Sequence, residues 1–302
     1  MRKADSLHIN VRPHRPRLLR RHRNPTRSYG GDAFINLLLI LLGFFMALPF
    51  IYTISNAFKP FDELWVYPPR FFPRIPTTKN FRDLFRLLSN SDVPFLRYVF
   101  NTLFISVAGT GGHLILASSA AYAMAKMRFR GRNAMFRMVE LSLMFNAPAT
   151  AIITYIIMSR LGLVDNYAAY ILPAFAGTLG LYLMKQFMEQ MIPDAILEAA
   201  RIDGAGELRI IGSIVLPMVK PAWMTLIIFS FFNLWNTGAS VMVYTEELKT
   251  FNYAVSQIIA GGIARAGTGS AATLVMMLVP ITVFLFAQSN VMETMSASGM
   301  KD

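Results

Sequence analysis

The sequence predicts an all-α integral membrane protein with six transmembrane helices and both termini on the cytoplasmic side. Three observations predict it. Of 302 residues, 54% are hydrophobic and only 15% are charged, whereas soluble domains carry about a quarter charged residues. Six stretches contain no Asp, Glu, Lys or Arg, namely 33–58, 98–125, 141–159, 166–184, 221–245 and 266–292. The Lys and Arg residues are shared unequally between alternate connections.

The chain opens on a basic arm, residues 1–32. It holds nine of the 29 Lys and Arg residues, Arg2, Lys3, Arg12, Arg15, Arg17, Arg20, Arg21, Arg23 and Arg27, and accounts for much of the net charge of +12. Such an arm suits nucleic acid or anionic lipid, and the apolar run behind it favours membrane lipid and no nucleic acid. With Pro13, Pro16 and Pro25 among the arginines, it is expected to stay disordered until it meets lipid or a partner. Run 33–58 is too long for a signal-peptide core and reads as a retained anchor.

The spans occupy a domain from 33 to 292. The two shortest runs hold 19 residues, and about 1.5 Å of rise per residue nearly carries these across a hydrocarbon core of about 30 Å. Helices in soluble cores average about 11 to 12 residues and are amphipathic. Nineteen Lys and Arg residues fall in the arm, the segments 126–140 and 185–220 and the tail 293–302, against ten in the other connections. This asymmetry puts the arm, those two loops and the tail inside.

The first outer connection, 59–97, carries Pro60, Pro68, Pro69, Pro73, Pro76 and Pro94, which favour extended backbone around one short amphipathic stretch at 80–88. Trp65, Tyr67, Phe71 and Phe72 suit a membrane interface. Pro49, Pro148, Pro173 and Pro280 lie inside spans, where each removes a backbone donor and makes either a hinge or a static kink.

Catalytic chemistry is missing. There is no Gly-Lys dipeptide for a phosphate loop, no H-E-x-x-H and no G-x-S-x-G, so the chain is expected not to be an enzyme. With no cysteine, disulfides, thiolate catalysis and Cys-based metal sites are excluded, and no metal site is expected. His113 is the one titratable group of the proton-relay kind within the runs, and it reads as a helix-to-helix hydrogen-bonding residue.

The inner connection 185–220 carries the functional argument. Pro193 and Asp194 form a helix start, 195–202 a short helix, and Gly204 a stop of positive dihedral. A second helix begins beyond Gly206. Ala195, Ala199 and Ala200 leave the first helix thin, so another backbone could approach, and Glu198 offers a carboxylate to a basic partner. Glu189, Asp194, Glu198, Asp203 and Glu207 outnumber Lys185, Arg201, Arg209 and Lys220, which disfavours anionic lipid and favours a protein partner.

Here the chain resembles the inner-membrane permeases of ATP-binding-cassette importers. Their EAA loop reads E-A-A, three residues, G, nine residues, I-x-L-P, and this chain has Glu198, Ala199, Ala200, Gly204, Ile214, Leu216 and Pro217 at that spacing. Asn101-Thr102, Ala121-Tyr122-Ala123, 128–132, Leu161-Gly162-Leu163, 200–205, Trp235-Asn236 and 298–301 are similar to the second permease of the maltose-type carbohydrate subfamily. Asn146-Ala147-Pro148 and Thr237-Gly238 depart from it.

The resemblance implies a type I importer permease fold in a bacterial cytoplasmic membrane. It implies a homologous second permease, two ATPase subunits that hold ATP and Mg, and an extracytoplasmic binding protein that delivers the sugar, with no cofactor on this chain. Glu198, Ala199, Ala200, Asp203 and Gly204 would dock on an ATPase, with Ser298, Gly299 and Lys301 as a second contact. Sugar recognition by stacking and hydrogen bonding makes Tyr155, Tyr182, Trp235 and Asn236 the pathway candidates. A polyol, a phosphorylated polyol or a peptide is the alternative solute, and a scaffold without a pathway is the alternative class.

Overall fold

The computed structural model describes residues 29–89, 93–145 and 147–298, and among them the regular structure is helical throughout. Four helices are long and apolar enough to cross a membrane, or five if one bent pair counts as a single span. The basic arm lies outside the described residues up to Ser28.

The chain divides into two units, one ending at Pro49 and the other beginning at Phe50. In the first, α1 (Tyr29–Ala57) runs unbroken through a sequence rich in Leu and Phe. Phe34, Leu37, Ile40, Leu41, Phe44 and Phe45 are exposed.

The second unit contains the end of α1, the outer connection and the remaining helices. After α2 (Phe61–Leu64), α3 (Lys79–Ser89) forms where the amphipathic pattern predicts a helix. It buries Asn80, Leu84 and Leu88, and the Asn80 amide donates to the carbonyls of Ala57 at 2.9 Å and Lys59 at 2.7 Å. The buried Lys59 ammonium donates to Asn56 Oδ1 at 2.8 Å and to the Arg70 carbonyl at 2.6 Å. The proline-rich segment is thus pinned to the end of α1.

The central post is α4 (Phe95–Lys126), which packs against α7 (Ala168–Phe175), α8 (Thr178–Met191) and α12 (Lys220–Trp235). Its small residues permit that approach, as is usual between membrane helices. A Cβ on Gly112 would lie 2.1 Å from the Phe175 ring, and one on Gly109 2.5 Å from Leu234 Cδ1. Near the Phe95 end, Asn101 donates to the carbonyls of Glu247 and Lys249, each at 2.8 Å, and Thr102 Oγ1 accepts from the Phe251 amide at 2.7 Å. These bonds hold the segment leading into α13 (Phe251–Ala260), and α14 (Ala266–Ser298) packs on α12 and α13.

Three uncharged runs are not single straight helices. Run 141–159 takes in the end of α5 (Arg132–Ser142) and nearly all of α6 (Ala147–Arg160), because Pro148 suits a helix start better than an interior. Run 166–184 is divided between α7 and α8 at Ala176 and Gly177, just after Pro173. In run 221–245, α12 stops at Trp235 and the rest is mostly irregular. At its other end, α12 meets the segment Glu207–Met218 at 85°, with Val219 and Pro221 at the corner. That segment comprises α10 (Glu207–Ile210), one turn of π-helix (Ile211–Val215) and α11 (Leu216–Met218).

Candidate coupling loop and solute pathway

The predicted short helix is α9 (Asp194–Ile202), with Pro193 as its cap residue and Asp194 in its first turn. Its end follows the predicted grammar. Gly204 adopts φ +78°, its amide donates to the Arg201 carbonyl at 3.1 Å, and the Ala205 amide donates to the Ala200 carbonyl at 3.0 Å. This is the paired-bond closure that a left-handed glycine allows. Gly206 then caps α10.

The closure sorts the motif residues into two faces. Glu198, Ala199, Asp203 and Gly204 are exposed, and among the described residues Glu198 makes no ion pair. Ile202 and Leu208 flank them, 86% and 88% exposed. Ala200 is the buried member of the set. It belongs to the chain's own core with Ala121, Tyr122, Leu197 and Ile210, where its small side chain lets α9 sit close to α4.

What anchors the loop is a set of side-chain bonds, three of them between residues far apart in sequence. The Tyr122 hydroxyl donates to Glu207 Oε2 at 2.6 Å, and Arg201 Nε donates to Glu207 Oε1 at 2.8 Å. Lys126 donates to Asp194 Oδ1 at 2.8 Å. Glu189 accepts from Lys185 at 2.7 Å and from Arg132 at 3.2 Å. The Lys126 hydrogen bond and charge, with Arg128 and Arg132 nearby, hold the Asp194 carboxyl below its usual range. The Glu207 hydrogen bond raises Arg201 further above its ordinary value. Exposed pairs of this kind contribute little singly, but the Tyr122 bond is made by a side chain only 1% exposed. A cleft of about 360 Å³ between the end of α4 and α9 is lined by Lys126, Arg128, Asp194, Glu198 and Arg201. Sequence reasoning missed the anchor. The participants are visible in the sequence, but no periodicity pairs Tyr122 with Glu207.

The four pathway candidates are not brought together. Asn236 is exposed and lines a cleft of about 540 Å³ with Phe232, Asn252, Thr273, Pro280 and Phe284. Its side chain donates to the Phe232 carbonyl at 2.8 Å, and its carbonyl accepts from Asn252. Tyr155 lies partly exposed on α6. Tyr182 stacks on Phe136 with centroids 5.7 Å apart, and the Lys185 ammonium covers the other partner of that stack, 3.9 Å from the Phe136 centroid. Trp235 is 2% exposed, stacks on Phe231 and donates its indole N–H to the Met276 carbonyl at 3.1 Å. Its ring packs between α12 and α14. Of the tail contacts, Gly299 and Lys301 lie outside the described residues, and Ser298 is described only as the last residue of α14. Among the described residues, no group of three or more His, Asp or Glu is placed to hold a metal.

The family described as binding-protein-dependent transport system inner membrane component matches residues 95–294. The chain is 32% identical to Protein LplC of Bacillus subtilis over 206 residues, 68% of this chain and 67% of that one. It is 31% identical over 216 residues to the polygalacturonan/rhamnogalacturonan transport system permease protein YtcP of the same organism, covering 72% and 73%. To the sn-glycerol-3-phosphate transport system permease protein UgpE of Pectobacterium atrosepticum it is 29% identical over 264 residues, covering 86% and 94%. In fold it is similar to a chain of a bacterial ABC transporter involved in the import of the acidic polysaccharide alginate, with TM-score 0.74, 24% identity, and 88% and 99% of the two chains covered.

Proposed function

The chain belongs to the binding-protein-dependent transport system inner membrane component family, and on that premise we propose that it is one of two permease subunits of an ATP-driven carbohydrate importer. It is a transport subunit and not an enzyme, as its relatives are permease proteins. In this reading six segments span the bacterial inner membrane with both termini cytoplasmic. A homologous permease completes the pathway, two ATPase subunits bind ATP and Mg, and an extracytoplasmic binding protein delivers the solute.

The observation that carries the reading is the loop at α9, whose exposed Glu198, Ala199, Asp203 and Gly204 stand on a helix fixed to α4 from behind. An ATPase that closes on nucleotide would move α9, and the Glu207 to Tyr122 bond would pass the displacement to the central post as a rigid body. Ala200 serves the same end by packing inward.

A carbohydrate is favoured by the galacturonan permease among the relatives. A phosphorylated polyol is the second reading, favoured by the glycerol-phosphate permease, which this chain matches over 94% of that protein's length. A galacturonan fragment and a glycerol phosphate each carry an anionic group beside hydroxyls.

The test is purification of the tagged chain from its native membrane. Copurification of a second permease and an ATP-binding-cassette ATPase, with ATP-dependent solute uptake after reconstitution, is the expected result. A chain that purifies without any ATPase would favour the scaffold alternative.

A further inference from the structure

A cleft of about 370 Å³ opens where α7 breaks and α8 begins, lined by His113, Gly177, Thr178, Ser230 and Asn233 among apolar neighbours. At about 1.5 Å per residue, His113 stands roughly 20 Å along α4 from Lys126, well inside the span. His113 is 3% exposed, a costly place for a polar ring unless its nitrogens are used. Nδ1 lies 3.3 Å from the Phe175 carbonyl, which can only accept, so Nδ1 carries the proton and donates. In the neutral ring this leaves Nε2 with a lone pair, and among the described residues nothing donates to it.

Nε2 points at the first turn of α8. A Cβ on Gly180 would come within 2.3 Å of it, and one on Gly177 would lie 2.6 Å from Cε1. The two glycines thus let the His113 ring lie against the backbone of that turn, with Leu226 beside it at Gly180. The first turn of α8 has no side-chain cap, and helix geometry leaves its leading amides without partners in the helix. Such an end favours negative charge, and in secondary transporters half-helix ends within the membrane face the anionic groups of solutes.

We infer that this cleft receives the anionic group of a hydroxylated solute, its carboxylate at the α8 amides and its hydroxyls on His113 Nε2, Ser230 and Asn233. The inference rests on the importer reading and narrows it to acidic sugars. Asn233 is exposed and lines the cleft. The Ser230 hydroxyl and the Asn233 amide can each donate and accept, which suits neighbouring sugar hydroxyls.

The experiment uses the complete importer purified from native membranes and reconstituted in vesicles. ATP-dependent uptake is measured for digalacturonate, for the neutral disaccharide made by reducing its carboxyls, and for sn-glycerol 3-phosphate. Preference for digalacturonate is expected, with a loss of tenfold or more in Asn233→Ala and His113→Phe at matched complex abundance. Should His113→Phe fail to assemble, the exposed Asn233→Ala decides. Preference for the phosphate ester overturns the assignment to acidic sugars. Equal uptake of the neutral and acidic disaccharides, or Asn233→Ala at the wild-type rate, overturns the inference and leaves the importer standing. Uptake of none of the three solutes overturns the inference, and only a chain that also purifies without an ATPase overturns the importer reading.

Discussion

The Tyr122 hydroxyl donates to the Glu207 carboxylate at 2.6 Å, joining the last turn of the central helix to the segment that follows the Gly204 turn. Arg201, on α9, holds the other oxygen of the same carboxylate. One acidic group therefore ties α4, α9 and α10 together. A hydrogen bond to a charged acceptor contributes about 1.5 to 3 kcal/mol, and here its donor is removed from water. The α9 loop is thereby tied to the helix against which α7, α8 and α12 pack.

Tyr122→Phe keeps the packing and removes that bond. The loop should remain folded through the Arg201 pair, with a lowered thermal midpoint for the purified chain. In reconstituted membranes, uptake per ATP hydrolysed should fall severalfold. Unchanged stoichiometry would show that the bond does not carry the motion.

Asp194 gives the loop a pH dependence with a definite sign. Its carboxyl is held below the usual range by Lys126, so folding favours the ionised form. The stabilisation is complete above the unfolded pKa and is lost as pH falls through the depressed folded value. Loop protection, followed by amide exchange at 195–202, should weaken only in acid below the ordinary carboxylate range. Asp194→Asn should remove that part of the acid dependence.

Topology can be read with single cysteines, since the chain has none. Exposed positions Asn133 and Gly206 should be shielded in intact cells from an impermeant thiol reagent, and exposed positions Thr78 and Tyr244 should be labelled. Thr250, with 0% exposure, is a poor probe whichever side it faces. Labelling at Gly206 from outside would reverse the orientation.

Asn236→Ala should reduce uptake more than complex abundance, because the side chain lies at the edge of a cleft and makes only a local bond to Phe232. Proportional loss of both would make the residue structural.

Local grammar was what the sequence carried best. The start of α9 at Pro193 and Asp194, its stop at Gly204 and the amphipathic α3 each depend on residues within a few positions, and each stands where the pattern places it. The uncharged runs located apolar segments but not their breaks, since hydropathy does not register a helix restarting at Pro148 or dividing after Pro173. Burial within the site was harder still. Ala200 and Trp235 carry no mark of which face is turned inward, and that is decided by α4 and α14. The anchor of Tyr122 and Glu207 spans 85 positions, beyond any repeat of a helix.

If the α9 loop transmits ATPase closure to the spans, damage to it should sever hydrolysis from transport. Glu198→Ala removes an exposed carboxylate whose loss costs about 1.5 to 3 kcal/mol against a charged partner, or roughly ten- to hundredfold in ATPase association. Gly204→Val meets nothing within 4 Å, so its effect comes through the backbone, where a side chain at φ +78° costs about 1 to 2 kcal/mol. The most direct measurement is solute-stimulated ATP hydrolysis by the reconstituted complex carrying each variant, with permease abundance matched. Loss of stimulation with a stable, inserted permease is the predicted result. Wild-type stimulation and uptake in both variants would contradict the account.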